Sequence, residues 1–68
     1  MTEVTGKALA RLLEQHVWQL NGVNGSHHIY GKPGSTVRLS VPIHSNKPLK
    51  EGLLRFLLKA AGLSVDNL

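Results

Sequence analysis

The most constraining segment of this chain is residues 36–43, because apolar and polar residues alternate along it without a break. A period of two is typical of a strand with one face buried and the other in solvent. Arg38 is then expected to point away from the core, and Pro42, which cannot donate to a ladder, marks the strand's end or an edge position. The buried face would carry Val37, Leu39, Val41 and Ile43.

Helical patterns lie on both sides of this strand. Residues 5–16 carry leucines at helical spacing, and Thr5 is the expected N-cap. A second helix is predicted over residues 49–61, with a broad apolar face that includes Phe56 and with Gly62 at the C′ position. The strand therefore belongs to a structure that mixes helices and sheet.

Two clusters of turn-forming residues divide the middle of the chain, at 21–25 and 31–35. Short strands are predicted on either side of the first cluster, over 17–20 and 26–30. The resulting order predicts an α+β fold, α-β-β-β-α, in which a three-stranded antiparallel sheet carries two helices on one face. The other face of the sheet would stay open to solvent.

The length of 68 residues sets the scale of the molecule. It predicts a single domain, 1–68, with one small core, and a core of this size rarely supplies more than ~3–5 kcal/mol of net stability. A deep enclosed cavity is excluded, so any site should be shallow, which suits a polymer better than a small metabolite. Residues 64–68 are expected to form a frayed tail.

Positive charge is concentrated in residues 31–55. The chain has a net charge of +4, and this segment holds five basic residues against one acid, Glu51, so the whole excess lies there. A localised basic segment favours phosphate binding, although an ordinary surface with a mild positive bias would look similar. The basic residues are Lys32, Arg38, Lys47, Lys50 and Arg55.

The absence of cysteine excludes disulfides and thiolate zinc modules. Residues 1–7 lack the apolar run of a secretory signal, and the longest apolar stretch is far short of the ~20 residues that a membrane span needs. A cytoplasmic protein with no membrane partner is therefore expected.

The pair His27-His28 offers acid–base chemistry, because the unperturbed pKa of histidine is the closest of all side chains to neutral pH. Neighbours on a strand point to opposite faces, so the pair cannot share a metal ion, and no metal site is expected. His27 shares its face with Ile29, which leaves open whether His27 points to solvent or to the core. His44 could be a second acid–base group, a phosphate contact, or a loop residue bonded to backbone.

Four pieces of sequence together resemble HicA-type toxins, the mRNA-cleaving partner in HicA–HicB toxin–antitoxin systems. They are Trp18 after the first helix, GSHHIY at 25–30, VPIH at 41–44 and LKEGLLRFLLKAAGL at 49–63. The resemblance covers nearly the whole chain. It implies a fold like that of double-stranded-RNA-binding domains, metal-independent endoribonuclease activity without a cofactor, a catalytic histidine at His27, and a HicB-like antitoxin that covers the site.

RNA cleavage needs little from a protein, because the 2′-hydroxyl is the nucleophile. His27 would act as general base or acid on that hydroxyl, and His44 would be the secondary catalytic candidate. Nearby cations would stabilise the charged phosphorane. The candidates for RNA phosphate contacts are Lys32, Arg38, Lys47 and Lys50.

The chain departs from the HicA pattern at two places. Val17 stands where the family usually has glycine before Trp18, and Gly22 and Asn24 stand where the family tends to carry basic residues. Weaker RNA binding or slower cleavage would follow from the lost charges. Two other functions stay open: an RNA-binding module that does not cut, and a protein-interaction domain that pairs through an open strand edge or helix face.

Overall fold

The computed structural model describes residues 3–68, and residues 1 and 2 lie outside it. Its three strands form one antiparallel sheet in the order β1-β2-β3. The α-β-β-β-α order confirms the predicted α+β fold. The elements are α1 (Gly6–Gln15), β1 (Gln19–Asn24), β2 (His27–Gly31), β3 (Leu39–Pro42), α2 (Glu51–Ala60) and a short 3-10 helix (Val65–Asn67).

The hydrophobic core lies between the two helices and one face of the sheet. Residues from α1, from β2 and β3 and from α2 form one buried cluster. The largest fully buried side chains are Leu9, Leu13, Leu39, Leu57, Leu58 and Val41. Neither helix of residues 3–68 is long and apolar enough to cross a membrane.

The first hairpin differs from the sequence prediction. The segment 21–24, expected to be a turn, forms the last four residues of β1, and the turn itself is only Gly25 and Ser26. Gly25 has φ +63, and a positive φ at the first central position is what a type II′ hairpin turn requires of glycine. Asparagine and glycine permit a turn at several places, and pairing with β2 decides which one is used.

The third strand is shorter than the alternation predicted. Leu39 and Val41 are buried as expected, but Val37 precedes the strand and is 43% exposed. The segment before β3 forms hydrogen bonds within itself instead of with a neighbouring strand. The Val37 N–H donates to Ser35 Oγ (3.1 Å), and Arg38 Nη1 donates to the Ser35 carbonyl (3.2 Å). Such local bonds compete with strand pairing.

Both ends of α1 are fixed by local chemistry. Thr5 Oγ accepts a hydrogen bond from the Ala8 N–H (3.1 Å), which confirms the predicted N-cap. At the other end the Trp18 N–H donates to the Leu13 carbonyl (3.0 Å), the bond of a Schellman motif. The C′ residue of that motif is Val17, at φ +66. A β-branched residue is disfavoured there, because its Cβ crowds the following carbonyl.

Replacing Val17 by Gly is expected to stabilise the protein by about 1 kcal/mol. The left-handed conformation costs an L-residue roughly 1–2 kcal/mol, and the greater freedom of glycine in the unfolded chain offsets part of that gain. Val17 is 67% exposed, so little packing is lost. A thermal melt should show a midpoint about 4–8 °C higher. Val17→Ala keeps a Cβ, so an equal gain in that variant would contradict the explanation.

Helix α2 ends as the sequence predicted. Gly62 has φ +76, and the Leu63 N–H donates to the Leu58 carbonyl (2.8 Å), which completes a second Schellman motif. The prediction for Phe56 was wrong, because this side chain is 66% exposed. The buried stripe of α2 is narrower than the apolar pattern, since only one side of the helix meets the sheet. Residues 64–68, predicted to fray, include the 3-10 helix, whose cap is Ser64.

Tyr30 connects the sheet to α1. Its side chain is buried, and its hydroxyl donates to Glu14 Oε2 (3.2 Å). Burial, and then the hydrogen bond and negative charge of Glu14, raise the pKa of Tyr30 above its usual value.

The raised pKa of Tyr30 predicts a loss of stability at alkaline pH. The folded protein holds the phenol proton more tightly than the unfolded chain does, so the unfolded state binds fewer protons once the pH passes about 10. The free energy of unfolding should therefore be undiminished below pH 10 and should fall as the pH rises through the two pKa values. Urea melts of wild type and Tyr30→Phe across this range measure the effect, which should be smaller in the variant. Parallel pH dependences in the two proteins would assign the alkaline loss to other groups.

Candidate active site

His27 points to the open face of the sheet. Tyr30 belongs to the core, whereas Ile29 is only partly buried and lies outside the core cluster. Since side chains alternate along β2, His28 shares the helix-covered face with Tyr30, and His27 shares the open face with Ile29. The question that the sequence left open is therefore settled in favour of solvent, and the His27 side chain is exposed.

His44 lies beside His27. The two ring centroids are 6.3 Å apart and the rings meet edge to face, with an interplanar angle of 85°. Ser26 Oγ lies 3.5 Å from His44 Nε2, at the limit of a hydrogen bond. Ser26 was not predicted as a site residue, because the sequence pattern placed it in a strand and its contact with His44 depends on the pairing of β2 with β3. The structure thus assembles two imidazoles and a hydroxyl at one corner of the sheet.

The pairing of β2 with β3 creates this corner. His27 is opposite Pro42, the last residue of β3, and the Ile43 N–H donates to the Ser26 carbonyl (2.8 Å). His44 follows directly, so the register of the two strands fixes its distance from His27.

The first turn of α1 packs against the same corner. Gly6 approaches β3 so closely that an added Cβ would overlap the Pro42 carbonyl oxygen and meet Ile43 Cγ1 at 3.1 Å. The connection to α2 is tied down as well, because the Leu49 N–H donates to the Val4 carbonyl (2.7 Å). The placement of the two histidines therefore depends on the packing of α1.

The four predicted phosphate-binding residues divide into two groups. Lys47 and Lys50 are exposed on the connection that carries His44. Lys32 follows the far end of β2, five residues and about 17 Å along the strand from His27. There its Nζ lies 5.1 Å from the centroid of the buried Trp18 ring, a cation–π contact. Arg38 also lies at the far end, next to Gly31.

The two remaining histidines belong to the helical side. His28 lines a shallow depression of about 260 Å³ between the sheet and α1, together with Lys7, Arg11 and Glu14. His16 Nδ1 lies 3.0 Å from the Leu12 carbonyl at the end of α1, which agrees with a structural role. Neither residue lies at the corner formed by His27 and His44.

The candidate site carries no carboxylate among its neighbours on the open face. The acids of the described residues lie on the segment before α1, on α1, on α2 and in the C-terminal 3-10 helix: Glu3, Glu14, Glu51 and Asp66. Within residues 3–68, no three His, Asp or Glu side chains come together in a way that could hold a metal ion. The groups at the corner are suited to taking and giving protons, in surroundings that favour an anionic substrate.

The fold and this corner describe a small basic α+β domain with two neighbouring histidines at one corner of an open sheet face. A family model described as "HicA toxin of bacterial toxin-antitoxin" matches residues 6–63, and the chain belongs to this family. The match includes both histidines of the corner and all four predicted phosphate-binding residues. Membership gives the protein a toxin role in a toxin–antitoxin system and implies a HicB-like antitoxin partner. No curated protein matches the chain.

Proposed function

We propose that this toxin is an endoribonuclease that cleaves mRNA without a metal ion, with His27 as a catalytic residue. The observation that carries the proposal is the direction of His27, which is exposed on the open face with its ring 6.3 Å from that of His44. A histidine placed for packing would face the helices, as His28 does. A long polymer can reach the exposed corner, and the cell's mRNA is the substrate that a toxin of this family implies.

The chemistry needs two proton transfers. One imidazole takes the proton of the RNA 2′-hydroxyl, whose oxygen then attacks the adjacent phosphorus. The bond from phosphorus to the 5′-oxygen breaks, and a second imidazole gives that oxygen a proton, which leaves a 2′,3′-cyclic phosphate. His27 and His44 are close enough to contact the same phosphate, so they are assigned these two roles.

The remaining groups of the corner support the two histidines. Ser26 orients the His44 ring through its Oγ, and Lys47, on the same connection, supplies positive charge for the phosphorane. Each proton-transfer group typically raises the rate of cleavage by roughly 10²–10⁴-fold. In the toxin–antitoxin pair, the HicB-like antitoxin would silence the enzyme by covering this exposed corner.

Cleavage of RNA in EDTA tests the proposal. The purified protein should cut single-stranded RNA in the presence of the chelator, should leave DNA of the same sequence intact, and should produce 2′,3′-cyclic phosphate ends. DNA is the matched control, because it differs from the RNA only in lacking the 2′-hydroxyl nucleophile and in carrying thymine in place of uracil. A requirement for Mg²⁺, or cleavage of DNA, would overturn the mechanism.

A second candidate function is RNA binding without cleavage. The departures from the family pattern at Gly22 and Asn24 favour it, because both residues lie on β1 opposite Ile29 and His27 respectively. Basic residues at these positions would sit directly beside the candidate site, and this chain has none there. Salt-dependent RNA binding with no cleavage products would select this function over the nuclease.

A further inference from the structure

The open face of the sheet carries a row of three carboxamides, formed by Gln19, Asn21 and Asn24. All three residues are exposed. Gln19 is opposite Gly31, and Asn24 is opposite His27, so their side chains share the open face with those residues. Asn21 occupies the irregularity in β1 between Leu20 and Gly22, and this bulge brings its Nδ2 over Gly31, 2.6 Å from where a Cβ would stand.

Arg38 lies at the end of the same face that is farther from His27. Its Nη1 lies 2.9 Å from where a Cβ on Gly31 would stand, and it donates to the carbonyls of Ser35 (3.2 Å) and Val37 (3.1 Å). These bonds hold the guanidinium in place and leave its other N–H groups without a protein acceptor among residues 3–68. Arg38 lies four residues before Pro42, the partner of His27, which places it about 13 Å from the candidate site.

The chemistry of this face favours hydrogen bonding to bases. The chain has one tryptophan, one tyrosine and one phenylalanine. Trp18 and Tyr30 are buried, and Phe56 lies on α2, so the face offers no large aromatic ring for stacking. Carboxamides both donate and accept hydrogen bonds, which lets them bind the edges of nucleobases. Those edges are accessible in unpaired RNA and largely hidden in an A-form duplex.

We propose that single-stranded RNA lies across the open face, with one phosphate bound by Arg38 and with bases read by the carboxamide row. Asn21 is the specificity-determining residue, because the bulge holds it over Gly31, beside the Arg38 guanidinium that binds the phosphate. The proposal rests on the proposed function in one respect, since it places the cleaved phosphate at His27.

Binding measurements on His27→Ala protein separate recognition from cleavage. Fluorescence anisotropy with a labelled single-stranded RNA and with the matching RNA duplex should show tighter binding to the single strand. In this background, Arg38→Gln should weaken binding of the single strand roughly tenfold and reduce the slope of log affinity against log salt by about one. Lys59→Gln is the charge-matched control on α2, and it should change the affinity by less than about twofold.

Gly31→Ala tests the placement of Arg38 without removing its charge. The added methyl group meets the ends of the Arg38 and Asn21 side chains, which can move aside, so the fold should persist. Binding of the single strand should nevertheless fall several-fold. Circular dichroism melts confirm that each variant is folded.

Selection of bound sequences from a random RNA pool tests the role of Asn21. Asn21→Ala in the same background should change the base preference while leaving the salt slope as it was. Three results would each overturn the proposal. They are binding of the duplex that is as tight as that of the single strand or tighter, an effect of Arg38→Gln on affinity no larger than that of Lys59→Gln, and a base preference that Asn21→Ala leaves unchanged. Since these proteins lack His27, a wild type that fails to cleave RNA would overturn the nuclease alone.

Discussion

Replacing His27 by Ala is expected to slow RNA cleavage by roughly 10²–10⁴-fold, the contribution of one positioned acid or base. The fold should be unaffected, because the His27 side chain is exposed and makes no hydrogen bond within residues 3–68, and alanine keeps the backbone pairing of β2. Its ring contact is with His44, at a centroid separation of 6.3 Å. Initial rates on a labelled RNA measure the loss, and thermal melts of the same preparations measure the stability.

His28→Ala is the matched control for this variant. The two residues are neighbours with the same side chain, but His28 faces α1 and lies on the other side of the sheet. Its cleavage rate should stay within about threefold of wild type, whereas His44→Ala should lose a large part of the rate. A His27→Ala enzyme as fast as wild type, or a His28→Ala enzyme as slow as His27→Ala, would contradict the assignment.

Replacing Gly6 by Ala is expected to destabilise the protein by about 3 kcal/mol, at the upper end of the usual cost of overpacking. The new Cβ would overlap the carbonyl oxygen of Pro42, a backbone atom that cannot rotate aside. A domain of this size has only ~3–5 kcal/mol of net stability, so most of its margin would be lost. Urea melts should show a strongly lowered midpoint or a largely unfolded protein.

Gly52→Ala is the control for the same chemical change. Gly52 lies in α2, and a Cβ there has no heavy atom within 4 Å. In a helix that is free of clashes, alanine is favoured over glycine, so this variant should gain about 0.5–1 kcal/mol. A Gly6→Ala protein as stable as wild type would show that α1 can move away from β3. The packing of α1 against β3 would then contribute little to the placement of the site histidines.

Features fixed by neighbouring residues could be predicted from the sequence. The N-cap at Thr5 and the C′ glycine at Gly62 depend on local hydrogen bonds, and both are present. The first hairpin could not be located, because its asparagines and glycines permit several turns and the choice depends on pairing with β2. Val37 and Phe56 were assigned to the core by periodicity alone, which cannot show where a neighbouring element ends.

The candidate site was only partly visible in the sequence. His27 was identified through the family resemblance and the acid–base chemistry of histidine, and its direction required knowing that Tyr30, two residues beyond His28, is core. The contact of Ser26 with His44 depends on the register of β2 and β3, which no local pattern specifies. The position of Lys32 against Trp18 was missed as well, because it depends on the pairing of β1 with β2.

His27 lies on β2 and His44 follows β3, and this separation along the chain has a consequence for the time course of folding. The β1–β2 hairpin has a two-residue turn, and hairpins of this kind form within about 1–10 μs. Residues 32–38 must then close a longer loop before β3 can pair, so His44 reaches His27 only in this later step. A chain still emerging from the ribosome would carry His27 without its neighbour. We therefore expect nucleolytic competence to appear last, after the complete sheet has formed.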